Sequence, residues 1–454
     1  MTSALAVRRW PHRRAFALAW PAILSNVSVP LVGLIDTAML GHFSDEANLG
    51  AAALGSTLLG AVFWLLSFLR TGTTSLVGRA LGAGRPDAAL THAQRSALLA
   101  GALGVGILAI QWAIVPALMR LLTPDDALAD LAASFTSIRL ASAPAVLLTL
   151  VIAGWFIGAG DTKRPLAVVI TIGTLNVALD AVLVAWLDYG ANGAAVATAI
   201  SEWVGFAVAL TLWWRAQPHP TRASARQWRG RGLRTGWRAV LGLNRDIFFR
   251  TAVLYVVLTF VTAYGAHISS TVLAANAILM QLMLLASYGQ DGYAHAAESL
   301  VAREIGARDV PAFHRAVGAA AAPAVAIGAV FSLAYWLGGD AFIAVLTSLP
   351  EVTAAAQNAM PWVAALPLVS AAAYLFDGVF LGSGKVRWML LTMSLSAAVF
   401  FAAWWLGAST DDPAARNANL WSAFLVFNVC RGVFLGLSYV RLTKKRAWLV
   451  GTAA

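Results

Sequence analysis

The amino-acid sequence predicts an all-α polytopic membrane protein whose twelve transmembrane helices form two six-helix lobes related by a pseudo-twofold axis. Three observations support this fold class: the composition, the number of long apolar segments and an internal repeat. Of the 454 residues, 59% are hydrophobic and only 12% are charged. This composition lies outside the range of soluble domains and is typical of a chain embedded in lipid.

Long apolar segments recur twelve times along the chain. Each has about 20 or more residues and can therefore cross a hydrocarbon core about 30 Å thick, at about 1.5 Å of rise per residue. The first follows a basic stretch, as in a signal peptide, but it has no small-residue cleavage site, so we predict that it is retained as helix 1. The predicted spans are residues 14–43, 49–77, 94–119, 131–158, 165–187, 192–215, 246–268, 272–302, 316–338, 354–382, 387–408 and 419–442.

An internal repeat relates the two halves of the chain. The stretch "LVGRALGAGRPDA" at 76–88 matches "LVAREIGARDVPA" at 300–312, an offset of 224 residues. The same offset carries "GWFIGAG", 154–160, onto the stretch from Gly378 to Gly384. Because six spans, an even number, separate equivalent positions, we predict parallel repeats around an axis along the membrane normal, which is a transporter architecture.

The charged residues predict the domain boundaries and the orientation. A strongly basic stretch separates the repeats, so we predict an N-terminal lobe at 1–215, a cytoplasmic linker at 216–244 and a C-terminal lobe at 245–454. When the spans alternate sides, most of the 32 Lys and Arg residues fall on one side, which predicts that both termini are cytoplasmic. This placement explains the net charge of +11 without a nucleic-acid partner. The linker is interpreted as a determinant of topology, with lipid or partner binding as the alternative.

An acidic side chain lies in the first apolar segment, at Asp36. A charge at the centre of a spanning helix costs roughly 3 kcal/mol on insertion scales, so such residues usually face a protein interior or water and mark a pathway. Pro21, fifteen residues earlier, lacks a backbone donor and is predicted to act as a hinge in helix 1, with a static kink as the alternative.

Three further polar residues are predicted to join Asp36. Asn176 and Asp180 are four residues apart and share one helix face, and Thr198 lies in the next span. Two neighbouring carboxylates in a dry cavity cannot both ionise cheaply, which suits a proton carrier. The same carboxylate, amide and hydroxyl oxygens suit Na⁺, and structural hydrogen bonding between helices is the third interpretation.

The repeat distinguishes this cluster from the second half of the chain. The residues equivalent to Asp36 and Asp180 are Phe260 and Trp404. Three other acids are predicted as possible cavity-lining residues: Asp291, Glu202 and Asp377. Glu298 is expected to pair with a nearby base such as Arg303. Basic residues within the spans are expected to neutralise buried acids, namely Arg70, Arg139 and Arg431.

Several other functions are not supported by the motifs. "GSGKV", 382–386, lacks the first Gly and the Ser/Thr of a phosphate-binding loop. The seven His residues have no metal-ligand spacing, and Cys430, the single cysteine, excludes an intrachain disulfide. No nucleophile set is recognisable, so we predict a protein that is not an enzyme and has no cofactor, and no metal beyond a possible Na⁺ at Asp36, Asn176, Asp180 and Thr198.

The sequence resembles the multidrug and toxic compound extrusion (MATE) family over nearly its whole length. The resemblance rests on the motifs "PAILSNVSVPLVGLIDTAMLG", "IAGWFIGAGDTKRP", "LNVALD" and "GANGAAVATAIS". The strings "LAANAILMQ" and "DGYAHAAESL" are most similar to the DinF subfamily. The resemblance implies the MATE fold and a coupling-ion site at Asp36, Asn176, Asp180 and Thr198. The acid-free segment "AVLYVVLTFVTAYGA" makes a NorM-like C-lobe Na⁺ site doubtful.

We therefore expect an efflux antiporter of the bacterial inner membrane. Coupling to H⁺ is the first expectation and coupling to Na⁺ the second, with organic cations or amphiphilic compounds as substrates, exported by alternating access. A flippase of lipid-linked precursors is the other alternative, although its cavity should be more cationic than the acidic midplane predicted here. Membrane lipid is the expected surrounding partner, nucleic acid is not expected, and the protein is expected to act as a monomer.

Overall fold

The computed structural model describes residues 11–217, 236–407 and 412–450, and in these ranges the regular structure is entirely helical. The first half contains α1 (Pro11–Phe43), α2 (Glu46–Leu65), α3 (Phe68–Gly82), α4 (Pro86–Leu122), α5 (Asp126–Leu140), α6 (Ala143–Gly158), α7 (Lys163–Asp180) and α8 (Gly190–Ala216). A π-helical segment, Ala181–Trp186, follows α7. The second half contains α9 (Trp237–Ile268), α10 (Ser270–Gly306), α11 (Val310–Leu346), α12 (Pro350–Ser383), α13 (Val386–Leu406) and α14 (Pro413–Lys444).

These helices provide the predicted number of membrane spans. Eleven helical segments in the described part of the chain are long and apolar enough to cross a bilayer, with α2 and α3 forming one segment at Glu46–Gly82. Helices α5 and α6 meet at 45° and form the twelfth span if they are taken together. The predicted fold class, an all-α polytopic membrane protein, is thus confirmed.

Ordinary capping signals determine where several helices begin. Asp side chains accept hydrogen bonds from the first free backbone N–H groups of four helices: Asp45 (α2), Asp125 (α5), Asp309 (α11) and Asp412 (α14). This satisfies donors that have no partner within the helix. The break between α5 and α6 lies just before Pro144, which has no backbone N–H to continue the first helix.

The described helices belong to two compact units. The N-unit runs from Leu24 to Asn244, and the C-unit contains the residues up to Ile23 together with those from Arg245 onward. The division within α1 therefore falls less than one turn after Pro21, the predicted hinge. Helix α9 begins at Trp237, so that the last part of the predicted 216–244 linker is helical.

The two units have cores of different character. In the N-unit, small residues such as Ala51, Ala132 and Ala195 are fully buried between α2, α5 and α8. The C-unit core contains more large aromatic side chains, including Phe400 and Trp421. Aromatic pairs contribute about 0.5–1.5 kcal/mol beyond their burial when they meet edge to face.

The internal repeat is visible as the same close helix contact within each unit. A Cβ atom added at Gly154 of α6 would lie 2.4 Å from the carbonyl oxygen of Arg70 in α3, and one at Gly378 of α12 would lie 2.1 Å from that of Ala294 in α10. Both members of the second pair are 224 residues beyond those of the first. Glycine lets the two backbones meet at this distance because it has no side chain.

The "GSGKV" stretch is a helix end. Gly384 adopts φ +72° at the end of α12, and its repeat partner Gly160 adopts φ +78° after α6. Both positions lie in the left-handed region that glycine tolerates without strain. This motif is therefore the glycine turn that ends the equivalent helix in each repeat.

We expect Gly378→Ala to destabilise the protein by about 1–3 kcal/mol, because overpacking at a backbone contact forces the helices apart. Thermal unfolding of the detergent-purified protein measures this effect. Gly318→Ala in α11 is the matched control, since an added Cβ there has no atom within 4 Å. An equal loss of stability in both variants would contradict the close contact.

Candidate functional site

Helices α7 and α8 bring three of the predicted site residues together inside the N-unit. Asn176, Asp180 and Thr198 are buried, with exposed fractions of 0%, 0% and 4%. The side-chain N–H of Asn176 donates to Thr198 Oγ1 at 3.0 Å, and Thr198 Oγ1 lies 3.0 Å from the carbonyl oxygen of Ala194. The hydroxyl thus links the amide of α7 to the backbone of α8.

The side chain of Asn48 in α2 holds the start of α8 in place. Asn48 Oδ1 accepts a hydrogen bond from the backbone N–H of Ala191 at 2.7 Å. Gly190, at φ +53°, allows this approach, since a Cβ there would lie 2.3 Å from Asn48 Oδ1. Asn48 is in turn anchored by Asp45, whose pKa is held below its usual range by hydrogen bonds from the Asn48 backbone and side chain. Helix α8 is therefore positioned by α2 before it reaches Thr198.

Asp180 lies at an irregularity in its helix. It is the last residue of α7, and the π-helical segment Ala181–Trp186 begins directly after it. At the end of this segment the N–H of Leu187 donates to the carbonyl oxygen of Val182 at 2.9 Å, one residue further back than in an α-helix. Single π turns of this kind occur often at functional sites, where they redirect one side chain.

Asp36 of α1 completes the predicted cluster. Its half-buried carboxyl group lies close enough to interact with Asp180, Asn176 and Thr198. Four oxygen atoms here have no hydrogen-bond donor at bonding distance among the described residues: one of Asp36, both of Asp180 and Oδ1 of Asn176. Two facing carboxylates are both acceptors, so a proton or another cation is needed to bridge them.

The repeat supports the pairing of Asp36 with Asp180. Their equivalents in the C-unit, Phe260 and Trp404, also touch, with ring centroids 4.9 Å apart in an edge-to-face arrangement. The same two helix positions are therefore neighbours in both units. In the C-unit they form an aromatic contact, whereas in the N-unit they carry two acids.

A second polar group adjoins this cluster. Arg139 of α5 lies 3.3 Å from Glu202 of α8, and the Ser142 hydroxyl donates a hydrogen bond to the same carboxylate. Arg139 also acts electrostatically on both Asp36 and Asp180. Glu202 is thus paired with a base, while the two aspartates share that base only at longer range.

The predicted acid in α12 is held in an ion-pair network of the C-unit. Asp377 is buried and binds Arg250 of α9 and Arg431 of α14, the latter at 2.9 Å. Arg431 also donates to Asn428 at 3.0 Å and lies 5.7 Å from the ring centroid of Tyr374. This arrangement neutralises the acid and joins three helices.

Sequence reasoning missed Arg250, although it lies within the predicted span 246–268 as a basic residue among apolar ones. Asp291 is among the groups that act electrostatically on Arg250, so this acid belongs to the same network. Glu298 is fully buried, and His295 Nδ1 lies 3.8 Å from its carboxylate. For Arg70, a side-chain nitrogen is buried without an acceptor in the described ranges.

No group of three or more His, Cys, Asp or Glu residues in the described ranges is placed to hold a metal ion. The mixed cluster at Asp36, Asn176, Asp180 and Thr198 offers oxygen atoms of several kinds to a cation. Its carboxylate, amide and hydroxyl oxygens are ligands of the kind that hard cations accept.

Comparisons with known proteins identify a family, several relatives and similar solved structures. The MatE family model matches residues 21–182 and 247–404. The chain is 34% identical to DNA damage-inducible protein F of Escherichia coli, covering 96% of this chain and 93% of that protein. It is 27% identical to the probable multidrug resistance protein NorM of Xanthomonas axonopodis pv. citri, covering 94% and 93%. A structure of the outward-facing conformation of a multidrug resistance MATE family transporter superposes with a TM-score of 0.84 at 18% identity, covering 97% and 98%, which shows the shared fold.

Proposed function

This chain belongs to the MatE family of membrane transporters, and from that premise we propose that it is a proton-coupled antiporter that exports organic cations or amphiphilic compounds. It is a multi-pass membrane protein, and we place it in the bacterial inner membrane with both termini cytoplasmic. It acts as a monomeric transporter rather than as an enzyme, without a cofactor.

The observation that carries this proposal is the pair of facing carboxylates at Asp36 and Asp180. A proton bridges two carboxylate oxygens and removes the repulsion between them, so loading and release of one proton changes the charge of a buried site. Arg139 acts electrostatically on both acids, and its positive charge disfavours the entry of a further metal cation.

One proton provides enough free energy for export. Inward movement releases about 2.3 kcal/mol per 100 mV and about 1.4 kcal/mol per pH unit. Together these correspond to a substrate gradient of about 500-fold, at tenfold per 1.4 kcal/mol. A single coupling site in the N-unit is therefore sufficient, and the acidic character of that site favours cationic substrates.

Coupling to Na⁺ is the second candidate, because the free Oδ1 of Asn176 and the Thr198 hydroxyl extend the carboxylate cluster with neutral oxygens. Movement of α1 at Pro21 stays a prediction in either case. A flippase is less well supported, since the polar cluster described in the N-unit contains three acids and one base.

Transport in proteoliposomes under separate gradients tests the coupling ion. We expect uptake of a fluorescent organic cation when a pH gradient alone is imposed, and none when a Na⁺ gradient alone is imposed. Transport that follows only Na⁺ would assign the same residues to Na⁺ coordination. If the protein transports the cation under neither gradient but translocates a fluorescent lipid, it is a flippase and not an antiporter.

A further inference from the structure

We propose that α12 is a two-state helix: side chains of α10 and α11 hold it continuous across Pro367, and it can break at this point as its counterpart in the N-unit does. In the structure α12 runs without interruption from Pro350 to Ser383, with Pro367 near its middle. The residues that hold it all belong to the C-unit. The movement takes place within the C-unit and is separate from the proposed proton coupling at Asp36 and Asp180.

Pro367 is a weak point of the helix. Proline has no backbone N–H, so the carbonyl oxygen of Val363, four residues earlier, loses its donor within α12. Val363 is fully buried, so water cannot reach that oxygen. The proline ring also crowds the same carbonyl group, and helices usually bend at such a residue. The continuity of α12 at this point therefore depends on neighbouring helices, as it does for other prolines in membrane helices.

Both ends of one peptide group next to the proline are bound by other helices. The side-chain N–H of Gln290 in α10 donates to the carbonyl oxygen of Pro367. The backbone N–H of Leu368, in the same peptide group, donates to Ser332 Oγ in α11 at 3.0 Å. Ser370 Oγ lies 3.1 Å from Gln290 Oε1 and holds the other end of the amide. The two helices thus fix the peptide group in the orientation that it has in the continuous helix.

These contacts are enclosed by close packing. Gln290 and Ser370 are buried, with exposed fractions of 1% and 5%. A Cβ atom added at Gly328 of α11 would lie 2.6 Å from the carbonyl oxygen of Pro367 and 3.0 Å from Gln290 Nε2. A buried amide that loses its acceptor is costly, because water does not replace the lost hydrogen bond. The Gln290 amide therefore favours the continuous form, in which its acceptor stays within reach.

The internal repeat shows the other form of the same element. The residue equivalent to Pro367 is Ala143, where α6 begins, and Pro144 follows it. A proline thus lies at this point in both repeats, within one position. In the N-unit, however, α5 ends at Leu140 and meets α6 at 45°, whereas α12 continues. The proline alone therefore does not decide between a broken and a continuous helix.

The two side chains that bind the peptide group are not repeated in the N-unit. The residues equivalent to Gln290 and Ser332 are Leu66 and Leu108. Leucine has no side-chain donor or acceptor, so neither residue can bind a peptide group of a neighbouring span. The span is broken where the polar side chains are missing and continuous where they are present. Loss of both hydrogen bonds shifts α12 towards the shape of α5 and α6, since packed helices change between discrete arrangements.

Distances between spin labels at the two ends of α12 test the proposal. The labels are placed at Glu351 and Arg387, both exposed, in the purified protein with Cys430→Ser. A break of 45° between two halves of about 25 Å shortens the distance between the helix ends by about 4 Å. In Gln290→Leu/Ser332→Ala we expect the fraction of the shorter distance to rise about tenfold, because two hydrogen bonds that favour the continuous helix are lost.

Two further variants separate this mechanism from a general loosening of the helix. Ser287→Ala is the matched control, because it removes the 2.6 Å hydrogen bond between Ser287 and Tyr374, another contact of α10 with α12, and should leave the distance unchanged. Pro367→Ala, added to the double variant, returns a donor to the helix and should restore the longer distance. An unchanged distance in the double variant, the same shortening in Ser287→Ala, or a shortening that persists without the proline would overturn the proposal.

If the double variant does not fold, Ser332→Ala alone should raise the fraction of the shorter distance by a smaller factor, and the absence of any rise would equally overturn the proposal. The measurement needs neither substrate nor an ion gradient. Its result is therefore independent of the proposed coupling to protons.

Discussion

Asp36→Asn is expected to abolish proton-driven export, with a loss of at least tenfold in the initial rate. Asparagine has nearly the same shape as aspartate but does not titrate, so a pH gradient can no longer change the charge at this position. The substitution also replaces one of two facing acceptors by a group that donates, which gives Asp180 a permanent hydrogen-bond partner. The buried site then stays in one charge state, and coupling is lost.

The measurement is efflux of a fluorescent cation from everted vesicles energised by a pH gradient, with parallel recording of substrate-induced proton movement. Asp340→Asn is the matched control, because Asp340 is exposed and accepts a hydrogen bond from Gln357 at 2.9 Å. We expect the control to transport normally and Asp36→Glu, which keeps a titratable group, to retain part of the rate. Normal proton-driven transport by Asp36→Asn would show that Asp36 does not carry the coupled proton.

Asp377→Ala is expected to lower the free energy of unfolding by about 3–5 kcal/mol, the range for removal of one partner from a buried ion pair. In the C-unit this carboxylate binds both Arg250 and Arg431, and its loss leaves the buried Arg431 and the partly buried Arg250 without their shared acid. Such charges are costly to bury because the surroundings cannot replace the hydration that they lose.

Unfolding in detergent, followed by tryptophan fluorescence, measures this effect. The control Asp340→Ala removes an exposed acid and should change stability by less than about 1 kcal/mol. Arg431→Ala, alone and combined with Asp377→Ala, completes a double-mutant cycle, and we expect the combined loss to be smaller than the sum of the single losses. Additive losses would show that the two residues do not depend on each other.

Several features of the candidate site could be predicted from local patterns. The four-residue spacing of Asn176 and Asp180 places both on one face of any α-helix, so their proximity follows from the helical repeat alone. The acids at Asp36 and Asp180 stood out because nothing equivalent occurs at Phe260 and Trp404. In contrast, the π-helical turn after Asp180 has no signal in the apolar stretch "AVLVAW" that forms it.

Contacts between helices that are far apart in the sequence could not be predicted from local patterns. Arg250 and Asp377 are 127 residues apart in sequence, and Arg139 and Glu202 are 63 apart. Each pair depends on how two helices are rotated and tilted against one another. Arg79 at the end of α3 is likewise buried, and its burial depends on how α3 packs within the N-unit.

The sequence by itself predicted apolar helical spans arranged in two repeats, because a backbone in lipid must satisfy its own hydrogen bonds and helices do so within each segment. Only the tertiary structure decided which polar side chains meet. Those contacts arise from side-chain packing between helices, and a change in helix rotation of one residue, about 100°, would turn any of these groups away from its partner.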